Sequence, residues 1–321
     1  MTKMSRTGIT TAWGIVFGLS VPLVLNQLAT AQTATTTVQD IPVSQYNGWQ
    51  AIILGMVQGI TEFLPISSTA HLKVIPVVLG WGDPGVTYTA IIQLGSIAAV
   101  IWYFWKDLAQ ITGGMFTAIR RKDYYSFSFR LAMGILIGTL PIVFFGVLLK
   151  VFVPDLDHSA FRSMAVIGCA SILMSLLLGL AEKMGSHKRS YENLKTQDGI
   201  LMGLAQALAL IPGVSRSGST MTAGLFVNLD RSTAARFSFL LGIPAITLAG
   251  LVELKDVLDR SISQAEIFPL VVGVISSAVF SYLAIAGLIR FLQRQSNWVF
   301  VWYRLFFGIA ILLGVMTGKF S

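Results

Sequence analysis

Cysteine is nearly absent from the sequence, and its single copy, Cys169, lies inside an apolar run. One cysteine excludes an intramolecular disulfide and a thiolate metal cluster. We expect Cys169 to be a small buried packing residue, since free cysteine usually behaves as a buried hydrophobe.

Charged residues are also scarce, and acidic residues most of all. Only 12% of the 321 residues are charged, 54% are hydrophobic, and 15 acidic against 23 basic residues give a net charge of +8. A soluble domain has about 25% charged residues. The long apolar runs lack the alternation of barrel strands, so we predict membrane helices. The basic residues lie mainly between apolar runs, which indicates contact with anionic membrane lipids and no nucleic acid partner.

The first forty residues resemble a secretory leader. Lys3 and Arg6 precede an apolar stretch at 9–28, and the small residues ATA follow at 29–31 before a polar, threonine-rich segment. This order predicts a signal peptide within 1–40, with an uncleaved signal-anchor helix as the alternative. Either form places the residues that follow it outside.

Residues 41–321 form the predicted membrane domain, an all-α polytopic helical bundle. Its apolar segments are 49–64, 70–80, 88–105, 131–153, 160–181, 199–211, 219–228, 233–252, 267–289 and 299–317. The pairs 49–64 with 70–80 and 199–211 with 219–228 are too short to cross a bilayer, and each is interrupted by a proline-containing, hydroxyl-rich loop. We predict that each pair is a re-entrant hairpin whose broken tip is buried in protein or lines a wet cavity.

Three spans separate the two hairpins, so the hairpins enter the membrane from opposite sides. This predicts two inverted repeats, at about 49–153 and 199–289, with a polar site at their interface. The connections 106–130 and 182–198 are basic and 154–159 is not, which places the first two in the cytoplasm. We therefore expect the site to face the external side of the plasma membrane.

The first tip (58–72), QGITEFLPISSTAHL, concentrates polar residues within a membrane segment. Gln58 and Glu62 lie one helical turn apart on one face, and Pro65 is expected to end that helix. The residues with hydroxyl or imidazole groups that follow are Ser67, Ser68, Thr69 and His71. A carboxylate inside a membrane is usually functional. The hydroxyl groups alone have a second explanation, hydrogen bonds to backbone groups freed by the proline.

The second tip (212–220), PGVSRSGST, is predicted to bind an anion. Arg216 lies between serines at the start of a helix, where backbone N–H groups attract anions, and its planar guanidinium matches phosphate oxygens. Gly213 and Gly218 allow close approach to the backbone. The alternative is close helix packing by small residues with a snorkelling Arg216.

The two tips together resemble the signature regions of the undecaprenyl-diphosphatase family of the bacitracin-resistance type, and so do IIQLGSIAAV and FSFLLGIPA. The similarity runs from about Trp49 to the C-terminus. It implies hydrolysis of the terminal phosphate of undecaprenyl diphosphate, a polyprenyl lipid, which recycles the carrier for cell-wall synthesis. The family motif, a glutamate or glutamine followed after three residues by a glutamate, falls on Gln58 and Glu62. Many members have glutamate at the first position, so this chain has one carboxylate fewer than they do.

The resemblance also implies roles for the tip residues. Glu62, with Gln58, would hold a divalent cation, Mg²⁺ or Ca²⁺, and Arg216 would neutralise phosphate charge. The predicted catalytic residues are Glu62, Ser68, His71 and Arg216, and the predicted substrate-binding residues are Ser67, Thr69, Gly213, Ser215, Ser217 and Thr220. The nucleophile is either Ser68 activated by His71, or a water activated by His71 or Glu62.

Functions other than hydrolysis fit these residues less well. A lipid phosphatase of the phosphatidic-acid class needs two histidines in linked motifs, but His158 and His187 lie in connections on opposite sides. A transporter or flippase of polyprenyl phosphate shares the inverted-hairpin architecture. A purely structural scaffold does not explain an acid, an imidazole and an arginine at two tips. Metal-dependent phosphate release in detergent separates an enzyme from a transporter. A homodimer is compatible with the sequence.

Overall fold

The structure is a computed structural model that describes residues 46–153, 159–258 and 264–320. These residues form eleven α-helices and no β-sheet. The predicted all-α fold is therefore confirmed. The predicted leader, 1–40, and His158 lie outside the described residues.

Ten of the helices correspond to the ten predicted apolar segments, and the eleventh, α4, is additional. In chain order the helices are α1 (Gly48–Phe63), α2 (Ser68–Val78), α3 (Gly85–Tyr103), α4 (Trp105–Arg121), α5 (Phe127–Phe152), α6 (Met164–Met184), α7 (Thr196–Ala207), α8 (Arg216–Phe226), α9 (Arg231–Leu258), α10 (Gln264–Leu292) and α11 (Trp298–Met316). A 3₁₀ turn, Leu208–Leu210, extends α7.

The long helices make the chain a membrane protein. Five of them, α5, α6, α9, α10 and α11, are long and apolar enough to cross a bilayer, and the pair α3 and α4 makes a sixth if it is one bent span. Cys169 is exposed on α6, on the same side as the exposed Leu173, Leu176 and Leu180. The prediction that Cys169 is buried is therefore wrong, because the spacing of these residues places it on the outer face of the bundle.

Helix α4 occupies most of the connection 106–130. The sequence pattern indicates only that this connection is basic, and it predicts no helix there. It is bent by 65° relative to α3, and it ends on the exposed Arg120 and Arg121. Apolar and polar residues lie on different faces of α4, as in helices that lie along a membrane surface. The sequence pattern missed the helix because its apolar stripe is too narrow to form a continuous run.

The two predicted hairpins are α1–α2 and α7–α8. The return helices α2 and α8 have 11 residues each, or about 17 Å of helix, which is roughly half the thickness of the hydrocarbon layer. Each hairpin thus has the length and the break expected of a re-entrant element. The inverted symmetry of 49–153 and 199–289 stays a prediction.

Glycines let the first helix of each hairpin pack closely against a spanning helix. A Cβ atom added to Gly59 on α1 would lie 2.6 Å from the carbonyl oxygen of Ser277 on α10. A Cβ atom added to Gly203 on α7 would collide with the carbonyl oxygen of Gly138 on α5. Such small-residue contacts are typical of membrane helix pairs. They fix both hairpins against long helices and so fix the depth of the two tips.

A buried carboxylate joins the ends of three helices. Glu182 at the end of α6 accepts hydrogen bonds from Nε of Arg231, at 2.6 Å, and from Nδ2 of Asn297, at 2.9 Å. Arg231 begins α9, and Asn297 directly precedes α11. Burial, and then the neighbouring Arg231, lower the pKa of His187, whose Nε2 lies 4.0 Å from Glu182. The network holds α6, α9 and α11 together at one surface of the bundle.

We predict that Gly203→Ala destabilises the protein. The added methyl group overlaps the backbone of α5, and overpacking of this kind costs about 1–3 kcal/mol. A methyl group added to Gly113 on α4 would meet no atom within 4 Å, so Gly113→Ala is the matched control and should leave the protein as stable or slightly more stable. Thermal unfolding in detergent checks both variants. An unchanged melting temperature for Gly203→Ala would contradict the packing.

Candidate active site

The first tip is built around the break between α1 and α2. Helix α1 ends at Phe63, and Leu64 is extended at φ −65° and ψ 144°, the conformation that a following proline favours. Ser67 has a φ of +75° and caps α2, because its Oγ accepts a hydrogen bond from the backbone N–H of Ala70. Ser68 is therefore the first residue of a capped helix inside the membrane domain.

The second tip repeats this construction. Gly213 has a φ of +92°, and a side chain there would also meet the carbonyl oxygen of Ile167 at 2.6 Å. Ser215 has a φ of +70° and caps α8 through a hydrogen bond from the N–H of Gly218 at 3.2 Å. Arg216 is the first residue of α8, as predicted. Two non-glycine residues with positive φ at equivalent caps are a costly feature that marks functional segments.

The carboxylate of Glu62 is the meeting point of the two tips. Its Oε2 accepts hydrogen bonds from Oγ of Ser68 at 2.8 Å and from Nε2 of Gln58 at 3.3 Å. Its Oε1 lies 3.6 Å from Nη2 of Arg216. A carboxylate, a hydroxyl and a guanidinium from two distant chain segments thus form one cluster, in which the side chains of Glu62 and Arg216 are largely buried and Ser68 is half-buried.

Helix α9, together with Thr220 of the second tip, holds Arg216 in this position. Its Nη1 donates to the carbonyl oxygen of Ser238 on α9 at 3.3 Å. A side chain at Gly242 would collide with the guanidinium. Thr220 lies against the same helix, with its Oγ1 2.5 Å from Oγ of Ser238. Thr220 therefore supports the arginine, whereas the resemblance implied a direct contact with substrate.

Ser217 joins the tips through backbone contacts. Its Oγ donates to the carbonyl oxygen of Leu64 at 3.0 Å and more weakly to that of Glu62 at 3.4 Å. It is fully buried. In this structure Ser217 hydrogen-bonds backbone carbonyl groups at the break after α1, where the carbonyl oxygen of Leu64 also accepts from the N–H of Ile66 at 2.7 Å. Such bonds are the second explanation given above for hydroxyl groups at a tip.

His71 has both ring nitrogens engaged. Nδ1 donates to the carbonyl oxygen of Ser67 at 2.7 Å, which leaves Nε2 to accept from the hydroxyl of Tyr303 at 2.6 Å. The ring stacks on Phe307 with a centroid distance of 4.2 Å. Ser68 is hydrogen-bonded to Glu62 instead, so the expected pairing of Ser68 with His71 is not present in this arrangement.

Arg304 on α11 binds both tips and was not predicted from the sequence. Its Nη1 donates to the carbonyl oxygen of Pro65 at 3.1 Å, and its Nη2 donates to those of Gly213 and Val214 at 2.7 and 2.9 Å. The side chain is fully buried. Arg304 lies in an apolar segment, and an arginine in a membrane helix is by itself a signal of function.

A small cavity of about 120 Å³ opens beside Ser68. The predicted site residues Gln58 and Thr69 line it, and Thr69 is exposed. Two cationic residues, Lys73 and Arg162, line it as well, and they extend the site beyond the predicted set. Lys73 follows His71 by two positions within an apolar segment. As with Arg304, a charged residue in such a segment is by itself a sign of function.

The donor groups that could hold a metal are few. Among the described residues, no three Asp, Glu, His or Cys side chains are grouped closely enough to bind an ion. Glu62 supplies one carboxylate, and Gln58 and Ser68 add an amide and a hydroxyl beside it. Mg²⁺ in phosphate-processing sites is commonly held by one or two carboxylates together with substrate phosphates. This donor set fits a cation that shares its ligands with a diphosphate, and it does not fit a cation held by protein alone.

Comparisons with known proteins agree on one family. Residues 51–310 match the family model described as bacitracin resistance protein BacA. The chain is 67% identical over 276 residues to an undecaprenyl-diphosphatase of Nostoc sp., with 86% of each chain covered. It is 60% identical over 307 residues to one of Synechocystis sp., covering 96% of this chain and 92% of the relative. It is also 60% identical over 270 residues to one of Trichodesmium erythraeum, covering 84% and 86%.

We predict that Arg304→Met destabilises the protein strongly. The change leaves three buried carbonyl oxygens without a donor, and each such loss costs about 1–3 kcal/mol. Arg294 is exposed, so Arg294→Met is the control and should change stability little. Thermal unfolding of the purified variants in detergent gives the comparison. Equal melting temperatures would show that Arg304 does not hold the tips together.

Proposed function

The chain belongs to the bacitracin resistance protein BacA family, and we infer that it hydrolyses undecaprenyl diphosphate to undecaprenyl phosphate and inorganic phosphate. This reaction recycles the lipid carrier for cell-wall synthesis and confers resistance to bacitracin. The observation that carries the residue-level proposal is the contact of Glu62 with both Ser68 and Arg216. The hydroxyl of Ser68 from the first tip and the guanidinium of Arg216 from the second can thereby reach a single diphosphate.

Glu62 is the proposed base. The hydroxyl of Ser68 already donates to Glu62, so the carboxylate can take the proton when Ser68 attacks the terminal phosphorus. The bond to the bridging oxygen breaks, and undecaprenyl phosphate leaves. A water then releases phosphate from the serine. A water that attacks directly, with its proton passed to Glu62, is the other route, and the geometry supports both.

Two arginines are proposed to neutralise the charge of the diphosphate. Arg216 keeps its guanidinium next to Glu62 at the capped start of α8, where backbone N–H groups also favour anions. Arg304 adds a second buried cation between the tips. Fixed cations placed before the reaction are the main contribution of a protein to phosphoryl transfer.

His71 and Tyr303 are proposed to position the nucleophile. His71 donates a hydrogen bond to the carbonyl group of Ser67, the residue that caps α2 directly before Ser68. Tyr303 orients the His71 ring from α11. Through this chain of contacts, α11 fixes the direction of the Ser68 hydroxyl.

We propose that Glu62, with the neutral amide of Gln58 beside it, would hold a divalent cation, Mg²⁺ or Ca²⁺, when a diphosphate is bound. When bound it would supply additional charge neutralisation. The protein residues bind the headgroup, orient Ser68 and accept its proton. The isoprenoid tail lies between helices and contributes affinity rather than rate.

The site is proposed to open to the external side of the plasma membrane. Glu253 on α9 lines the cavity beside Ser68, and it lies 22 positions after Arg231, which is about 33 Å along a helix and similar to the hydrocarbon thickness. Arg231 binds Glu182 beside the basic connection 182–198. The cavity therefore opens at the surface opposite this basic connection, which the positive-inside tendency assigns to the cytoplasm. Assembly as a homodimer stays a prediction.

Phosphate release in detergent tests the proposed activity. Purified protein should release inorganic phosphate from undecaprenyl diphosphate in detergent micelles, where no membrane separates two compartments. A transporter or flippase of polyprenyl phosphate would release none. Absence of phosphate release by folded protein, with Mg²⁺ and Ca²⁺ supplied, would contradict the proposed enzymatic activity.

We predict that Arg216→Lys lowers kcat about 10²–10³-fold, although the charge is kept. A lysine ammonium cannot span Glu62 and the carbonyl oxygen of Ser238 with two nitrogens as the guanidinium does. Arg294→Lys, at an exposed position, is the matched control. Steady-state phosphate release measures both. A variant with near wild-type kcat and KM would refute the role of the fork geometry.

We predict that Glu62→Gln abolishes turnover, whereas Gln58→Glu remains active and binds metal more tightly. The new carboxylate at 58 would lie beside Oε2 of Glu62, where the amide nitrogen now lies at 3.3 Å. Two like charges at this distance repel each other unless a cation lies between them. The gain should therefore appear only at high Mg²⁺ or Ca²⁺.

A titration of metal against phosphate release distinguishes the two variants. Glu62→Gln should stay inactive at every metal concentration, and Gln58→Glu should reach wild-type rates. An active Glu62→Gln protein with unchanged metal dependence would mean that Glu62 is structural.

A further inference from the structure

A second and larger cavity, of about 680 Å³, lies at the bend between α3 and α4. Its lining combines two tryptophans, two tyrosines and a phenylalanine with Lys106, Asp107 and Arg236. Cavities of this volume commonly hold small-molecule ligands. None of the tip residues lines it.

The cavity is separate from the candidate active site. The buried rings of Phe63, Phe239 and Phe104 lie in a row between the end of α1 and the cavity wall. Phe63 meets Phe239 edge-on at 5.3 Å between centroids, and Phe239 is tilted against Phe104 at 6.3 Å. Arg236 and Glu253 line different cavities and lie 17 positions apart on α9, about 26 Å along a helix. The two cavities therefore lie toward opposite ends of the same helix.

The charges of the cavity favour an anion. Lys106 and Arg236 give two positive charges and Asp107 one negative charge, which leaves a net charge of +1 (2 − 1). Arg236 stacks on the ring of Tyr191 at 4.3 Å and pairs with Asp107 through one terminal nitrogen. Its side chain stays 39% exposed, so the rest of the guanidinium is open to a ligand. Lys106 is exposed in the first turn of α4.

The aromatic residues place this cavity at the level of lipid headgroups. Trp102 is 77% exposed and Trp105 is 65% exposed, and exposed tryptophans at the end of a span are typical of the membrane interface. Helix α4 continues along this surface and ends on Arg120 and Arg121. A basic amphipathic helix of this kind attracts anionic lipids.

We propose that the cavity at the α3–α4 bend binds the phosphate headgroup of an anionic glycerophospholipid of the surrounding membrane. Lys106 and Arg236 contact the phosphate, and Trp102 and Trp105 lie beside the glycerol and the upper acyl chains. The bound lipid joins α4 to α9 and α10, whose Tyr282 forms the opposite wall. Free phosphate and polyprenyl phosphate share the same anionic group, so they serve as competitors in the test.

Native mass spectrometry of the protein in neutral detergent tests the proposal. The probes are dioctanoyl phosphatidylglycerol, dioctanoyl phosphatidylcholine, inorganic phosphate and farnesyl phosphate. Phosphatidylglycerol should bind with an apparent Kd at least fivefold below that of phosphatidylcholine. Neither inorganic phosphate nor farnesyl phosphate at an equal concentration should displace it.

Matched single-charge variants locate the site. Lys106→Gln should weaken binding of phosphatidylglycerol about fivefold, the usual effect of one lysine near a membrane surface. Lys122→Gln, which removes one charge just beyond the other end of α4, should change it less than twofold. Equal effects of the two substitutions, equal binding of phosphatidylcholine, or displacement by farnesyl phosphate or inorganic phosphate would each overturn the proposal.

Discussion

The structure depends on how backbone groups are satisfied where two helices break inside an apolar layer. Each break frees carbonyl and N–H groups that lipid cannot hydrogen-bond, and each free group would cost several kcal/mol. Ser67 and Ser215 cap the return helices. Arg304 donates hydrogen bonds to three carbonyl groups, one in the first tip and two in the second. Because one side chain serves both tips, neither hairpin can move without the other.

The same constraint brings the reactive groups together. Tips that are bound to each other place Glu62 of one hairpin beside Arg216 of the other, in a setting with little water. Charges in such a setting interact more strongly than at a surface, provided that they are paired. A diphosphate that enters beside Ser68 would complete the cluster with the negative charge for which its cations are arranged.

The sequence predicted the class of fold, and it pointed to several of the residues that the two tips bring together, because the strongest signals were local. Apolar run length gave the spans, and Pro65 gave the end of α1. The helix start at Arg216 followed from the small and polar residues before it. The amphipathic α4 was missed because polar residues separate its apolar residues along the chain, so that no long apolar run forms. Tyr303 and Arg304 were missed because they reach the tips only through the packing of α11, more than 200 positions away from His71 along the chain.

The partner of His71 was the least predictable feature. Ser68 and His71 are three positions apart in the sequence, which suggested a serine–histidine pair. In the structure the first turn of α2 directs His71 toward α11, whereas Ser68 lies over the end of α1 and meets Glu62. Two side chains within one helical turn can therefore contact different neighbouring helices, and their separation in the sequence does not show which.

The central claim is that the two tips form one catalytic unit, and a double-mutant cycle on Glu62→Asp and Arg216→Lys tests it most directly, because Glu62→Asp keeps a carboxylate but shortens its reach and should leave a measurable rate. The measurement is kcat/KM for phosphate release from undecaprenyl diphosphate by the wild type, both single variants and the double variant. Residues that act as a unit are strongly non-additive, so the double variant should lose no more activity than the worse single variant. A loss equal to the product of the two single losses would show that the tips act independently and would contradict the account.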